Sequence, residues 1–532
     1  MTELKAKQKY RLGIDVGGTN TDAVLLRGRE VIATAKCATT KDVGLGLIDA
    51  VTTILDKSKA DTSQIEAVMI GTTQFVNAFV QRRELSKVAI LRVSLPKADG
   101  VPPLAGWPAD IAEIVHGKTY MVGGGSLYTG KDYAPLDEDG IRETAKDARK
   151  CGFEAVAISA NFSPIRPDLE TRSREIVQEE LPDARITLSS DVGGLGLVDR
   201  ESAAIINASL AGLAQRVTTS LKQALVDLGI RSPVFISQND GTLITTEVAA
   251  ALPILTCSAG PTNSIRGAAF LTGLKNAIVV DIGGTTTDIG FLTNSFPRET
   301  TAASTVGGVR TNFRMPDVLS IGVGGGSHVT EDSGTCRVGP QSVGYRLLEE
   351  ARVFGGETLT ATDIAVSAGN ADVGDASMVS DIAEDTVMAA LDDIHFQIEE
   401  AIDQIKVNAE PLPLLLVGGG HILVNRDLRG ASEVIRPEHA EVANAVGAAI
   451  ALVSGRIDKL YDVPKIGREE CLRMAKEEAI EVAVQAGADR DATEIVEITE
   501  LPMTHMKAGA TQIKVRAVGP VAELEHDLEG VI

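Results

Sequence analysis

The sequence predicts an α/β protein built as two related halves facing a cleft, with a small C-terminal α/β appendage. Three observations carry that expectation. A strand–turn–strand segment near the start of the chain recurs in its second half. Around the two copies, short apolar runs alternate with helix-length stretches, the rhythm of α/β domains. The composition is that of folded domains, with 44% hydrophobic and 23% charged residues. At 532 residues the chain exceeds one compact core. We divide it into a first half over 1–200, a second over 201–460 and the appendage over 461–532.

The repeat is the most informative feature. RLGIDVGGTNTDAVLL from Arg11 returns as AIVVDIGGTTTDIGFL from Ala277, 266 residues later. Between Asp15 and Leu26, seven of twelve positions are identical in the second copy. Each copy reads as an apolar strand, a D-x-G-G-T-x-T-D turn and a second apolar strand, so each is a β-hairpin. A P-loop is excluded because no Lys follows the glycines. A dinucleotide fold is excluded because Thr and Asp open a helix poorly after this turn.

The remaining elements follow in order. Glu66–Ile70 reads as a strand, Thr73–Gln81 as a helix and Lys87–Arg92 as a strand. Val93–Thr129 carries Pro102, Pro103, Pro108 and Gly123–Gly125 and reads as an irregular, loop-rich insertion. Ala155–Ser159 is a strand and Asp168–Glu180 a helix that starts near Pro167. Ser202–Leu228 has apolar residues at helical spacing. Val234–Ser237 is a strand, Ala383–Lys406 a long helix, Leu414–Val417 a buried strand and Ala440–Ser454 a helix rich in Ala and Gly. Beyond Pro464 come a charged helix, Arg468–Ala486, and strand-like Glu494–Leu501 and Gln512–Val518.

Charge and composition narrow the function. Lys and Arg number 51 against 73 Asp and Glu, a net charge of −22, which repels nucleic acid and anionic lipid. Aromatic residues are 3%, too few for base-stacking platforms. The five cysteines are scattered without a C-x-x-C pair, as in a reducing compartment. The basic start lacks an apolar segment behind it, and no apolar run approaches membrane-spanning length. The expectation is a soluble, cytoplasmic protein with no nucleic-acid or membrane partner.

Two glycine hairpins, one per half, suit an anion between them. Glycine permits the tight turn and close backbone approach, and backbone N–H groups and Thr hydroxyls donate to phosphate oxygens. Asp15 and Asp281, at strand ends, are placed to hold hydrated Mg²⁺ or to orient a water. Leu414–Val417 followed by Gly418, Gly419 and Gly420 allows a flat ligand such as adenosine to approach the backbone; a plain loop is an equal alternative on these residues alone.

These two hairpins and the V-G-G-G strand end resemble the nucleotide site of the actin, Hsp70 and sugar-kinase superfamily. Within it the sequence resembles the hydantoinase A/5-oxoprolinase family over roughly residues 10–455. The resemblance runs through GTTQFVNAF (Gly71–Phe79), NFSPIRPDLE (Asn161–Glu170), VDRESAAIINASL (Val198–Leu210) and SQNDGTLIT (Ser237–Thr245). It continues through CSAGPTNSIRGAA (Cys257–Ala269), SIGVGGGSHVT (Ser320–Thr330) and VGPQS (Val338–Ser342). The family's S-G-P-A-G-G stretch reads here as Ser258–Asn263.

The resemblance implies two RNase-H-like (actin-like ATPase) halves closing on ATP with Mg²⁺. The first phosphate motif is then Gly17, Gly18, Thr19, Thr21 and Asp22, and the second Gly283, Gly284, Thr285, Thr286 and Thr287. Gly324, Gly325 and Gly326 line the site, and Gly418–Gly420 face adenosine. Asp15, Asp281 and Asp288 are the catalytic carboxylates, Asp15 and Asp281 also the metal-holding ones. Ser202–Leu213 and Ala443–Ile450 become the helices connecting the halves. The implied activity is ATP-dependent opening of a cyclic amide, such as a hydantoin, 5-oxoproline or a lactam, with a hydantoinase B-like partner subunit; a homo-oligomer is also compatible. A reactivating chaperone for another enzyme and a small-molecule kinase are the alternative readings.

Other residues are weighed individually. His328 and His421 follow glycine runs and read more simply as loop residues than as polarising groups. His116, His395, His439, His505 and His526 lack the spacing of a zinc site. Cys257 defaults to a buried thiol. Thr72, Thr73 and Asn77 suit either substrate contact or helix capping. Arg82, Arg83 and Arg200 could bind anions but read more simply as solubilising surface arginines.

Overall fold

The structure is a computed structural model that describes residues 9–18, 20–38, 43–98, 100–298, 300, 304–313, 315–332, 335–407, 410–502 and 510–522. Thr19, His505 and His526 lie outside the described residues. In chain order the strands that build the two main sheets begin with β1 (Tyr10–Val16), β2 (Asn20–Arg27), β3 (Glu30–Ala38) and β4 (Ile65–Thr72). Next come β5 (Val234–Ser237), β6 (Leu243–Thr245), β7 (Ala277–Ile282), β8 (Thr287–Thr293), β9 (Val318–Ile321), β10 (Leu412–Val417) and β11 (Ala431–Ile435). The last three are β12 (Val453–Asp462), β13 (Glu494–Pro502) and β14 (Ala510–Gly519).

The first sheet has nine strands in the order β13-β14-β12-β6-β5-β4-β1-β2-β3. In the second, β7 lies between β8 and β10, with β11 beyond β10 and β9 paired to β8. The two sheets repeat one unit, an antiparallel hairpin with a parallel strand on its first arm: β1/β2 with β4, and β7/β8 with β10. Register is also repeated. Asp15 stands opposite Asp22 in one hairpin and Asp281 opposite Asp288 in the other. The hairpins are those that the repeat predicts: alternate residues of each first arm, Leu12, Ile14 and Val16 or Ile278, Val280 and Ile282, are buried Val, Ile and Leu.

A separate parallel sheet, His116–Gly123, Val88–Leu95, Ala155–Ala160 and Arg185–Leu188, branches from the first half. The stretch expected as an irregular insertion, Val93–Thr129, therefore contains a helix, Ala109–Val115, and an edge strand. HGKTYMVG hides its strand character because this edge is half-exposed and needs few apolar residues. The sheet is tied to the long helix α2 (Leu197–Asp227) through buried Arg92, whose Nε donates to Glu201 Oε2 at 2.8 Å; Ser159 donates to the same oxygen at 2.6 Å. Arg200 is also fully buried, donating to Ser189 Oγ and to the carbonyls of Gly194 and Ala160, and so is not a surface arginine.

Two helices cross between the main sheets, α3 (Ala259–Thr272) and α5 (Ala443–Ala449); α4 (Glu384–Ile405) covers the second sheet from outside. A side chain at Gly267 would lie 1.8 Å from the Ala443 carbonyl oxygen, and one at Gly447 would lie 1.8 Å from that of Asn263. The backbones therefore touch, which glycine alone allows. Gly13 of β1 meets Ala445 in the same way. The helix crossing α5 is thus α3 and not the Ser202–Leu213 stretch, which packs on the branch sheet instead. The Ala440–Ser454 helix is shorter than its composition predicts: a 3₁₀ turn precedes α5, and β12 begins at Val453. Val453 pairs with Leu243, so sheet formation ends the helix. The helix α6 (Arg468–Gln485) packs its alanines on β12 and β14. No helix among the described residues is long and apolar enough to cross a membrane.

Candidate functional site

The helix crossing places both hairpin turns on one cleft of about 370 Å³. Its lining includes Asp15, Gly17, Gly18 and Asp22 from the first hairpin, and Asp281, Gly283, Gly284, Thr285 and Asp288 from the second. Gly325 and Gly418–Gly420 complete the wall. The sequence-predicted carboxylates and most of the predicted glycines therefore converge.

Five predicted residues are outside this lining. Thr21 and Thr287 are buried, and Thr287 Oγ1 donates to the Val323 carbonyl at 2.7 Å. Thr286 is exposed, and its carbonyl accepts from Gly283 N at 2.9 Å to close the second turn. Gly324 and Gly326 buttress that turn from behind. A Cβ at Gly324 would lie 2.6 Å from Thr285 N, and Gly326 N donates to the Gly284 carbonyl at 2.7 Å.

The carboxylates are held differently in the two hairpins. Asn444, on α5, donates to Asp15 Oδ2 at 2.9 Å and to Asp22 Oδ2 at 3.2 Å. Lys36, on β3, donates to Asp22 Oδ1 at 2.7 Å. In the second hairpin Ser264, on α3, donates to Asp281 Oδ2 at 2.5 Å, and Ser320 donates to Asp288 Oδ1. A glycine stands beside each inner aspartate. A Cβ at Gly71 would come within 2.5 Å of Asp15 Oδ1, and one at Gly418 within 2.2 Å of Asp281 Oδ1.

Burial dominates the electrostatics. It pushes the Asp15 carboxyl up to about 7, with Asp22 and Asp281 adding repulsion. Burial also raises Asp22 and Asp281, and lifts Asp288 to about 6. Burial thus disfavours the charged form of all four carboxyls, a cost that a cation placed among them would relieve.

The neighbouring elements settle smaller points. Thr72 Oγ1 accepts from Gln74 N at 3.2 Å at the start of α1 (Gln74–Val80). Thr73 instead lines the cleft, its hydroxyl accepting from Asn77 at 3.1 Å. His421 Nδ1 pairs with the Gly418 carbonyl at 2.9 Å, an ordinary loop bond. Cys257 is buried and its thiol is pushed up to about 12, as an inert core thiol. Lys36, Ser264, Ser320 and Asn444 are the site residues that sequence reasoning missed. Asn444 lies on a stretch that reads only as a packing helix, Ser264 lies in the Cys257–Ala269 stretch that reads as a family motif and not as a helix, and Lys36 belongs to no motif.

The profile of the hydantoinase/oxoprolinase N-terminal region matches residues 11–181, and that of hydantoinase/oxoprolinase matches residues 200–373. The chain is 28% identical over 422 residues to the caprolactamase subunit alpha of Pseudomonas jessenii, covering 75% of this chain and 59% of that one. It is 28% identical over 397 residues to the acetophenone carboxylase gamma subunit of Aromatoleum aromaticum, covering 67% and 53%. It thus spans little more than half the length of these curated relatives. Among solved structures, the ATP-dependent caprolactamase from Pseudomonas jessenii superposes with a TM-score of 0.74 at 20% identity, over 98% of this chain and 90% of that one. Nucleotide-free acetone carboxylase superposes with a TM-score of 0.72 at 20% identity, over 97% and 88%. That likeness shows the two-halved α/β fold.

Proposed function

The chain belongs to the hydantoinase/oxoprolinase family, and we propose that it uses Mg–ATP to phosphorylate the carbonyl oxygen of a small cyclic amide or related carbonyl compound. The observation that carries this reading is the convergence of both hairpins, with their four aspartates and paired glycines, on one cleft. Relatives named as an ATP-dependent caprolactamase and as carboxylases of acetone and acetophenone make amide and ketone carbonyls the substrate classes to examine.

The residues present suit a magnesium-bound triphosphate. Asp15 Oδ1 is buried without a hydrogen-bond partner, and the glycines keep the walls free of side chains. Among the described residues no three His, Cys, Asp or Glu side chains gather as a ligand set, which suits an ion held largely by waters and phosphate oxygens. The bound ion supplies charge neutralisation on the triphosphate. Asp15 and Asp281 orient its waters or an attacking water, while backbone N–H groups of the glycine turns donate to phosphate oxygens. Asn444 and Ser264 keep the two aspartates in place by bonding one oxygen of each.

The chemistry answers a specific difficulty. An amide carbon is a poor electrophile. Transfer of the terminal phosphoryl group to the amide oxygen, with ADP leaving, activates that carbon. Water then adds, the C–N bond breaks and the ring opens; a second water releases phosphate from the resulting acyl phosphate. We assign the ring-opening half to a separate hydantoinase B-like subunit, a reading supported by the relatives being named as subunits.

Phosphate release should be followed with ATP, Mg²⁺ and a panel of hydantoins, 5-oxoproline, lactams and small ketones. Substrate-stimulated release supports the proposal. Stimulation only by another protein favours a reactivating chaperone, and a stable phosphorylated product at full yield favours a kinase. In single turnover, this chain alone should cleave ATP without opening the ring; stoichiometric ring-opened product would refute the need for a partner.

A further inference from the structure

We propose that Lys36 is the residue that binds the phosphate chain in the cleft, with Asp22 serving as its anchor. The inference rests on the nucleotide reading above and adds to it a side chain from outside both hairpins. Lys36 stands opposite Asp22 in the pairing of β2 with β3. Its ammonium donates to Asp22 Oδ1 at 2.7 Å and to the Glu441 carbonyl at 3.3 Å. A lysine ammonium has three N–H donors, so these two bonds leave one for a ligand.

Its position suits that use. A Cβ at Gly419 would lie 3.4 Å from Lys36 Cε and 3.7 Å from its Nζ, so the amine sits against the glycine turn of the second half. The side chain thus reaches from the first sheet across to the opposite wall, and at 35% exposure it remains accessible. Among the described residues lining the cleft it is the single Lys or Arg, whereas Asp15, Asp22, Asp281, Asp288 and Glu441 all contribute carboxylates. A polyanion entering so acidic a cleft gains most from any fixed cation, because like charges at short range in a partly buried site repel strongly. A lysine serves as a point charge for phosphate.

Asp22 is suited to anchoring and not to holding the ligand. It is 4% exposed, and both of its oxygens already accept hydrogen bonds, one from Lys36 and one from Asn444. Asp15, by contrast, has Oδ1 unpartnered. The paired aspartates of the first hairpin therefore divide the work: Asp15 faces the ion or water, and Asp22 aims the amine.

The test compares fluorescent trinitrophenyl-ATP with trinitrophenyl-adenosine, both in Mg²⁺, on the wild type and on Lys36→Met, Lys36→Arg and Asp22→Asn. The wild type should bind the triphosphate more tightly than the nucleoside. Lys36→Met should lose about 10- to 100-fold in triphosphate affinity, the weight of one charge-assisted hydrogen bond, while nucleoside binding stays within about twofold. Lys36→Arg should recover part of the loss, and Asp22→Asn should show the same selective loss to a smaller degree. A wild-type ratio of the two affinities in Lys36→Met would overturn the assignment while leaving the nucleotide reading intact. An equal loss of both ligands would also overturn it, since that marks Lys36 as a support of the cleft wall. If the wild type bound neither probe, both the assignment and the nucleotide reading would fall.

Discussion

The two hairpins share a turn sequence and a register, yet their carboxylates live in different surroundings. In the first, Asp15 and Asp22 are 5% and 4% exposed, share one amide donor, and one of them is paired with an ammonium. In the second, Asp281 and Asp288 are half-buried and each accepts from a serine hydroxyl. The repeat thus duplicates a backbone, while the crossing helices and β3 decide what each copy does. A charge-compensated hairpin is suited to fixing a phosphate chain. In both copies the inner aspartate, Asp15 or Asp281, is held through one oxygen by a neutral donor and is the proposed partner for an ion or a water.

The contact that serves both copies is the α3–α5 crossing, and breaking it should have the largest effect. Gly447→Ala puts a methyl group 1.8 Å from the Asn263 carbonyl oxygen. Backbone cannot retreat as a side chain end can, so urea denaturation should show a loss of about 3 kcal/mol or more. A loss below about 1 kcal/mol would mean that the helices separate easily.

Next come the inner aspartates. Asp15→Asn and Asp281→Asn should each lower substrate-stimulated phosphate release by on the order of 100-fold or more, with circular dichroism unchanged because volume is conserved. Wild-type turnover in either variant, loaded with Mg²⁺, would remove that aspartate from the chemistry.

The donors sharpen the contrast further. Asn444→Ala removes two bonds to carboxylates and should lower turnover by about 10- to 100-fold, whereas Ser264→Ala removes one and should cost about tenfold or less. The reverse order would assign the demanding role to the second hairpin.

The smallest effect is one of stability. Asp15 is pushed up to about 7 by burial and by Asp22 and Asp281, so the folded, ligand-free protein holds a proton that the unfolded chain releases near its ordinary value of 3.8. Folding is therefore favoured below that value, and the contribution is lost as pH rises through about 7. Asp15→Asn should raise the melting temperature at pH 8 by a few degrees and leave it unchanged at pH 4. Equal melting temperatures at both values would place Asp15 in a more solvated setting.

What was legible in the sequence was local. The hairpins, the parallel strand ending in Gly418–Gly420 and the α/β alternation follow from runs of adjacent residues with a defined period. The donors were not legible, because each reaches its carboxylate through packing; Asn444 and Asp15 are 429 residues apart. Ser264 and Asn444 look like routine small polar residues until Gly267 and Gly447 bring their helices into backbone contact. Arg200 misled for a related reason. Charged residues sit inside only when fully partnered, and its partners, Ala160, Ser189 and Gly194, come from other elements. The His116–Gly123 strand escaped because an edge strand needs little hydrophobicity.

The central claim is that one nucleotide lies between the two hairpins. A crystal structure of the chain with Mg²⁺ and a non-hydrolysable ATP analogue tests it most directly. The phosphates should lie within hydrogen-bonding distance of both glycine turns, Gly17–Gly18 and Gly283–Gly284, with the adenosine against Gly418–Gly420. Phosphates bound away from both turns, or contacting only one half, would contradict it.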